Sequence, residues 1–294
     1  MFPIIPGATA AVSGNQEGIF GLNGYTNLVS NAGVVASDTA LVGSNRTHNA
    51  ACEYGEDKGI FGFGVLAGVL KNITNLVSNT GVVATDQAAT TGTVRYGLAS
   101  CSFGGDKGLF GYGASCGPGC PTAVTNLVSN TGVIASDVSG VGTARYEITA
   151  CEYGEDKGII GFGYASGTKY GVTNLVSNVG VVTSDVAKPA GVTARTVACG
   201  LSYGGDKGIF GFGNDGVETA VTNLVSNTGV VASDTAAVVG ATATSFKAGT
   251  QYGGNKGIFT FPSSTNLVSS AGVVSSDVTQ VGTGRGYCGG CSFN

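Results

Sequence analysis

The chain has 294 residues and a formal net charge of −4, with no run of Lys or Arg, which argues against the phosphate-binding surface that a nucleic-acid partner needs. Charged residues make up only 11% of it, and Gly numbers 52 without a three-residue period, so it is neither a charged disordered tail nor a collagen. With 42% hydrophobic residues it can bury a sizeable core, yet no apolar run reaches the ~20 residues that insertion into a bilayer as a helix requires.

Residues 1–14 read as a lead segment. Its apolar run is short, broken by two prolines and lacks a basic start, so it does not resemble a signal peptide. From 15 to 294 one phrase recurs six times. Its clearest copy runs from Asp206 to Asp234, where DKGIFGFG is followed by a variable stretch and then TNLVSNTGVVASD. The TNLV asparagines are Asn27, Asn75, Asn126, Asn174, Asn223 and Asn266, spaced 43 to 51 residues apart. A period of this size marks a repeat architecture.

Each unit carries four strand-like runs. In chain order they are a run such as RYGLASCSF (Arg95–Phe103) or RYEITACEY (Arg145–Tyr153), then GIFGFG, TNLVS and GVVAS. Turn residues separate them: Gly55–Lys58 joins the first run to the second, and Asn79-Thr80-Gly81 joins the third to the fourth. No helical period is present. The expectation is an all-β fold: a six-bladed β-propeller of four-stranded antiparallel blades in one domain, 15–294. The ends complete each other. GYCGGCSFN lacks the GIFGFG that should follow, and NQEGIFGL lacks its preceding run. The strand near Tyr287–Phe293 is therefore expected to pair with that near Gly18–Leu22 and close the ring.

The runs ACEYGEDKGIFGFG (Ala51–Gly64) and LSYGGDKGIFGFG (Leu201–Gly213) resemble kelch-type propeller repeats. The chain departs from that pattern in having no Trp, and in Gly-Phe-Gly where kelch repeats carry a Gly pair. The resemblance implies blade geometry and carries no active site. The Gly/Ser/Thr/Asn-rich wording also resembles repeats of phage and other virion-associated proteins, which implies a structural or attachment role.

Charges fall at fixed repeat positions. The five arginines, Arg46, Arg95, Arg145, Arg195 and Arg285, stand at the head of the first run of a unit, just before its innermost strand, and Thr244 fills the remaining copy. Asp38, Asp86, Asp137, Asp185, Asp234 and Asp277 end the fourth run. Positions filled in nearly every unit are expected to serve the shared scaffold, with Arg held by carboxylate or carbonyl groups. Cys52, Cys101, Cys151 and Cys291 share one position and read as small buried hydrophobes. Cys116 and Cys120 lie in an insertion of the third unit and are candidates for a loop disulfide. The single His48 leaves no multi-histidine metal site. The sialidase box SxDxGxTW is absent, and the GFG runs are not phosphate loops, since no helix follows them. No catalytic residue, cofactor or metal is expected.

Antiparallel order assigns the short GEDK and NTG turns to one rim. The other rim receives the links between GIFGFG and TNLV, which differ among units. Recognition on a constant scaffold belongs to such variable loops, and Tyr164, Lys169, Tyr170, Asp215 and Glu218 are the candidate contacts. The functional expectation is a non-catalytic structural or recognition module of a virion, tail fibre or other extracellular assembly. Its partners would be sister subunits or a host-surface glycan or protein. Two alternatives stay open: a cytoplasmic kelch-type adaptor that binds protein, and a carbohydrate-binding propeller lectin.

Overall fold

The computed structural model describes residues 16–88, 92–116 and 119–293; the lead segment 1–14 lies outside them, as do the two end residues of the expected domain. Every regular element among the described residues is a strand, and the strands form small antiparallel sheets. Six sheets carry the repeat. Each has an inner strand, a middle strand and a third strand, in that order across the sheet.

Sheet 1 joins Gly289–Phe293, Glu17–Leu22 and Tyr25–Val29, with a two-residue fourth strand at Thr39–Ala40. Sheet 2 is Ala50–Tyr54, Lys58–Gly62 and Thr74–Val77. Sheet 3 is Ala99–Phe103, Lys107–Gly111 and Thr125–Val128. Sheet 4 is Thr149–Tyr153, Lys157–Gly161 and Thr173–Val176; sheet 5 is Cys199–Tyr203, Lys207–Gly211 and Thr222–Val225. Sheet 6 is Ala248–Tyr252, Lys256–Thr260 and Ser264–Val268, with Val278–Thr279 as its short fourth strand. The expected pairing of the two chain ends is present, with Glu17 opposite Phe293 and Gly21 opposite Gly289.

The middle strand is apolar on both sides because both its faces are covered. Ile60 and Phe61 are adjacent in sequence, point to opposite faces and are both fully buried. Each such side chain contributes roughly 1.5–3 kcal/mol relative to exposure. The glycines beside them permit close approach: a Cβ on Gly59 would stand 2.6 Å from the Cys291 sulfur, and one on Gly62 2.8 Å from the Phe110 ring. The repeated Cys and the repeated Gly are thus two halves of one sheet-to-sheet contact.

The core is divided among the junctions between sheets. Cys52, Ile60 and Phe63 of sheet 2 cluster with Leu98, Phe110 and Val128 of sheet 3 and its leading loop. Clusters of the same make-up join sheets 3 and 4, 4 and 5, 5 and 6, and 1 and 2. A sixth joins Ile258 and Phe261 of sheet 6 to Phe20 and Val29 of sheet 1.

Two expectations change in detail. The first run of a unit is only partly a strand: in RYGLASCSF the inner strand begins at Ala99, and Arg95–Leu98 form a loop. The fourth run is not a full ladder strand. It meets the third strand only through isolated bridges such as Val77 to Val83 and Val225 to Val231, and the two-residue strands of sheets 1 and 6, Thr39–Ala40 and Val278–Thr279, lie just beyond it. The reason is one-sided cover. Val83 is 8% exposed whereas its neighbour Val82 is 65% exposed. The Asn75 side-chain amide takes over the Ala84 carbonyl that a longer ladder would use.

Candidate functional site

The repeated charges form a staple at five of the six junctions. Arg46 donates to Asn75 Oδ1 (2.7 Å), and Asn75 Nδ2 donates to Asp86 Oδ1 (2.9 Å). Asp86 also accepts the Ser44 amide at 3.0 Å, and the Arg46 guanidinium lies 3.4 Å from it. The same triad recurs as Arg95–Asn126–Asp137, Arg145–Asn174–Asp185, Arg195–Asn223–Asp234 and Arg285–Asn27–Asp38. Four of these arginines also stack on an aromatic ring of the preceding sheet: Arg95 on Phe63, Arg145 on Tyr112, Arg195 on Phe162 and Arg285 on Phe261, at 4.2–4.9 Å.

Burial lowers the pKa values of Arg46, Arg95, Arg145 and Arg195, to about 10 for Arg95 and Arg195, so these four remain charged at neutral pH. For Asp86, burial raises the pKa, but hydrogen bonds from Ser44 and Asn75 and the Arg46 charge outweigh it and hold the carboxyl below its usual value. The sixth copy is different. Thr244 replaces Arg, and Lys247 stands over the Phe212 ring at 4.6 Å and donates to the Ser264 carbonyl at 2.8 Å. Asn266 still donates to Asp277, but its own Oδ1 has no hydrogen-bond partner in the structure.

The GEDK rim is equally uniform. Asn79 donates to Asp57, Asn130 to Asp106, Asn178 to Asp156 and Asn227 to Asp206, at 3.0–3.1 Å. Turn amides link successive sheets: Gly55 to the Asp106 carbonyl, Gly104 to Asp156, Gly154 to Asp206, Gly204 to Asn255 and Gly253 to Gln16.

The opposite rim carries the differences. Tyr164 and Lys169 face each other in a small hairpin, partly exposed, with Tyr170 next in the chain. Asp215 and Glu218 are exposed in the corresponding link of sheet 5. Glu218 accepts the Ser245 hydroxyl (2.8 Å), and Asp215 accepts the Val217 amide (3.3 Å). Cys116 and Cys120 are disulfide-bonded in the sheet 3 link, with Cα atoms 5.4 Å apart. Of the five candidate contacts, Tyr164 is the one whose ring meets a further aromatic cluster.

That cluster follows the buried arginines in sequence. Tyr164 touches Tyr146 (centroids 5.7 Å apart), Tyr146 touches Tyr96 (5.7 Å), and Tyr96 touches His48 (5.5 Å). His48 lies against Tyr287 (3.7 Å), and Tyr287 against Phe246 (4.0 Å). Six rings thus run continuously at the ends of the sheets opposite the GEDK turns. Backbone hydrogen bonds tie their segments together: His48 N–H to the Tyr287 carbonyl, Gly97 to His48, Val197 to Glu147 and Phe246 to Val197.

The second residue after the Arg position is left-handed in all six units. His48, Glu147, Val197, Phe246 and Tyr287 have φ of 48–63°, and Gly97 has φ 59°. For non-glycine residues this costs about 1–3 kcal/mol each and needs surrounding structure to hold it. Strain repeated at one place argues that the position of these side chains matters. Burial lowers the His48 pKa to about 4, so the ring is neutral at pH 7. Burial raises the Glu147 pKa, against one hydrogen bond from the Thr196 hydroxyl at 2.8 Å.

Sequence reasoning passed over this cluster because Arg95–Phe103 and its counterparts read as one strand. The signal was the pair of residues after each arginine: Thr47-His48, Tyr96-Gly97, Tyr146-Glu147, Thr196-Val197 and Gly286-Tyr287 all differ, beside a position that is nearly constant. Between the inner strands, Glu53, Ser102, Glu152, Ser202 and Gln251 line a cavity of about 170 Å³. There burial, then the nearby Glu53 and Asp156 charges, push the Glu152 pKa up to about 8. No group of three or more His, Cys, Asp or Glu among the described residues is placed to hold a metal ion.

Compared with protein-family models and with curated proteins, the chain matches none.

Proposed function

We propose that the chain is a six-bladed β-propeller serving as a non-catalytic recognition module, with the variable rim as its contact face. The ring reading is supported by the junction clusters, the last of which joins sheet 6 to sheet 1, and by the pairing of the two chain ends. The functional reading rests on one observation. The repeated charges are taken up in junction staples and turn contacts, while the residues that differ between units gather with six aromatic rings on a single rim. A surface that varies on a constant frame is suited to recognition.

The setting we propose is a virion or another extracellular assembly, on the resemblance of the repeat wording, with a host-surface molecule or sister subunit as partner. The aromatic rim keeps a carbohydrate ligand as the second reading, because flat ring faces and neighbouring hydroxyls suit sugars. The test compares wild type with a variable-rim variant, Tyr164→Ala with Glu218→Ala, and a GEDK-rim variant, Asp106→Ala with Asp156→Ala. Binding is measured on the source's particles and cell surfaces and on a glycan array. Loss only in the variable-rim variant is expected. Loss only in the GEDK-rim variant overturns the assignment of the contact face.

A further inference from the structure

We propose that the cavity between the inner strands at the GEDK end, walled by Glu53 and Glu152, is a binding site for a divalent cation held through oxygen, calcium above all. It lies at the end of the sheets opposite the variable links. It goes beyond the recognition reading, and neither depends on the other.

The first support is the cavity itself. Its volume of about 170 Å³ is bounded by Glu53, Ser102, Glu152, Ser202 and Gln251, which hold the same repeat position in five inner strands. Two residues deeper the strands carry small side chains and crowd together. A Cβ on Gly200 would stand 2.3 Å from the Ala150 carbonyl oxygen, and one on Gly290 2.6 Å from that of Gly249. The strands therefore close in below the carboxylates.

The second support is a carboxylate without a partner. Side chains alternate along the strand, so Cys151 and Tyr153 enter the junction with sheet 5 and Glu152 enters the cavity. Among the described residues no hydrogen bond or ion pair reaches the Glu152 carboxylate; its backbone amide and carbonyl are bonded, both to the Ser202 hydroxyl. The lysine on the cavity wall, Lys207, pairs with Asp206. Glu152 is partly exposed, to the cavity, and protein surrounds it elsewhere. A carboxylate so enclosed needs a counter-ion or a proton.

The third support is where the charges fall. The frame does not require a carboxylate at this position, because Ser102, Ser202, Gln251 and Ser292 hold it in the other four units. Glu53 already accepts the Ser292 hydroxyl at 2.7 Å. Two like charges in one cavity disfavour each other's ionisation unless a cation joins them. The donors fix the kind of cation. No His lines the cavity, and the repeated thiols turn into the junctions: a Cβ on Gly208 would stand 2.3 Å from the Cys151 sulfur, and one on Gly108 2.5 Å from that of Cys52. Carboxylate, hydroxyl and amide oxygens suit a hard ion. Calcium accepts an irregular oxygen shell completed by water, whereas magnesium demands a near-ideal octahedron.

The test is calorimetry and thermal melting with calcium chloride, against potassium chloride at matched ionic strength, on wild type, Glu152→Gln and Glu53→Gln. One saturable calcium site per chain and a raised melting temperature are expected, with at least about tenfold weaker binding in each variant. Glu152 keeps its proton to about pH 8, so binding at about pH 7 should release about one proton, read as a heat that depends on the buffer, and none near pH 9.5. Of the other groups facing the cavity, Asp156 and Asp206 titrate below their usual value and Tyr153 above it, so the Glu53–Glu152 pair supplies that proton. Glutamine keeps the shape and removes the charge. A variant that melts at or above wild type without calcium, yet loses the calcium response, therefore reports the site and not the fold. Calcium binding that both variants retain in full belongs to the exposed turn carboxylates and overturns the site. So does the absence of a saturable site up to about 10 mM calcium, beyond the range of weak protein sites.

Discussion

The guanidinium of Arg195 stands 4.2 Å from the centre of the Phe162 ring, which belongs to the preceding sheet, while donating to Asn223 of its own sheet at 2.6 Å. One side chain thereby joins two repeats through two unlike contacts. Its burial is complete, and its pairing with Asp234 is supplemented by the amide of Asn223, which hydrogen-bonds both groups.

Replacing Arg195 by Ala removes the stack and leaves Asn223 and Asp234 without their cationic partner. Breaking a buried charge pair from one side costs about 3–5 kcal/mol. Urea unfolding of Arg195→Ala is expected to show a loss of that order, and Arg195→Lys an intermediate one, because Lys lacks the planar fork. A loss below about 1 kcal/mol, the range of surface ion pairs, would refute the staple.

The sixth junction is open to repair. Thr244→Arg with Lys247→Ala restores the residue that the other junctions use and offers a donor to Asn266 Oδ1, now unpartnered. It also removes an ammonium whose pKa burial depresses to about 8. The double variant is expected to gain about 0.5–2 kcal/mol, read as a higher melting temperature. A lower one would mean that Lys247 is better fitted than the arginines.

Stability should fall in acid through the staple carboxylates. Asp38, Asp86, Asp137, Asp185, Asp234 and Asp277 all titrate below their ordinary value in the folded chain. The unfolded chain therefore binds more protons as pH drops through and below about 4, and the stabilisation present above that pH is lost. Glu152 has the opposite sign. Its folded pKa of about 8 lies above the unfolded value, so its ionisation opposes folding progressively from about pH 4.5 to 8. Melting curves of Glu152→Gln should match wild type near pH 4 and exceed it by pH 8; parallel curves across that range would contradict the assignment.

The thiols should be silent in the native state. Cys52, Cys101, Cys151, Cys199, Cys288 and Cys291 are buried and unpaired, and burial raises their pKa values, to about 12 for Cys101 and about 11 for Cys288. Thiolate is the reactive form. A thiol reagent at pH 8 is expected to find none in the folded protein and six after denaturation without reductant. Prompt labelling of any of them in the native state would show that the junction around it opens.

Much of the fold was legible from residue order. The middle strands, the TNLV strands and both sets of tight turns lie where short apolar runs and Asn/Gly pairs put them, since strand and turn preferences are set by near neighbours in the chain. The pairing of Gly289–Phe293 with Glu17–Leu22 was readable too, because each end carries half of a repeated unit. The weak fourth run was not. GVVAS has the composition of a strand, but one-sided cover and the Asn75 side chain leave it only bridges.

The sequence by itself determined the period, the all-β character and the alignment of Arg, Asn, Asp, Gly and Cys columns, because identical words in a chain demand identical local geometry. It located Tyr164 and Glu218 on a variable link. Only the tertiary structure decided that Arg195 meets Phe162, that Cys291 packs on Gly59, and that Tyr146, Tyr96, His48 and Tyr287 form one run of rings. Those contacts join residues a repeat or more apart. Their distances follow from how neighbouring sheets stack, a property of the packed core that no single repeat contains.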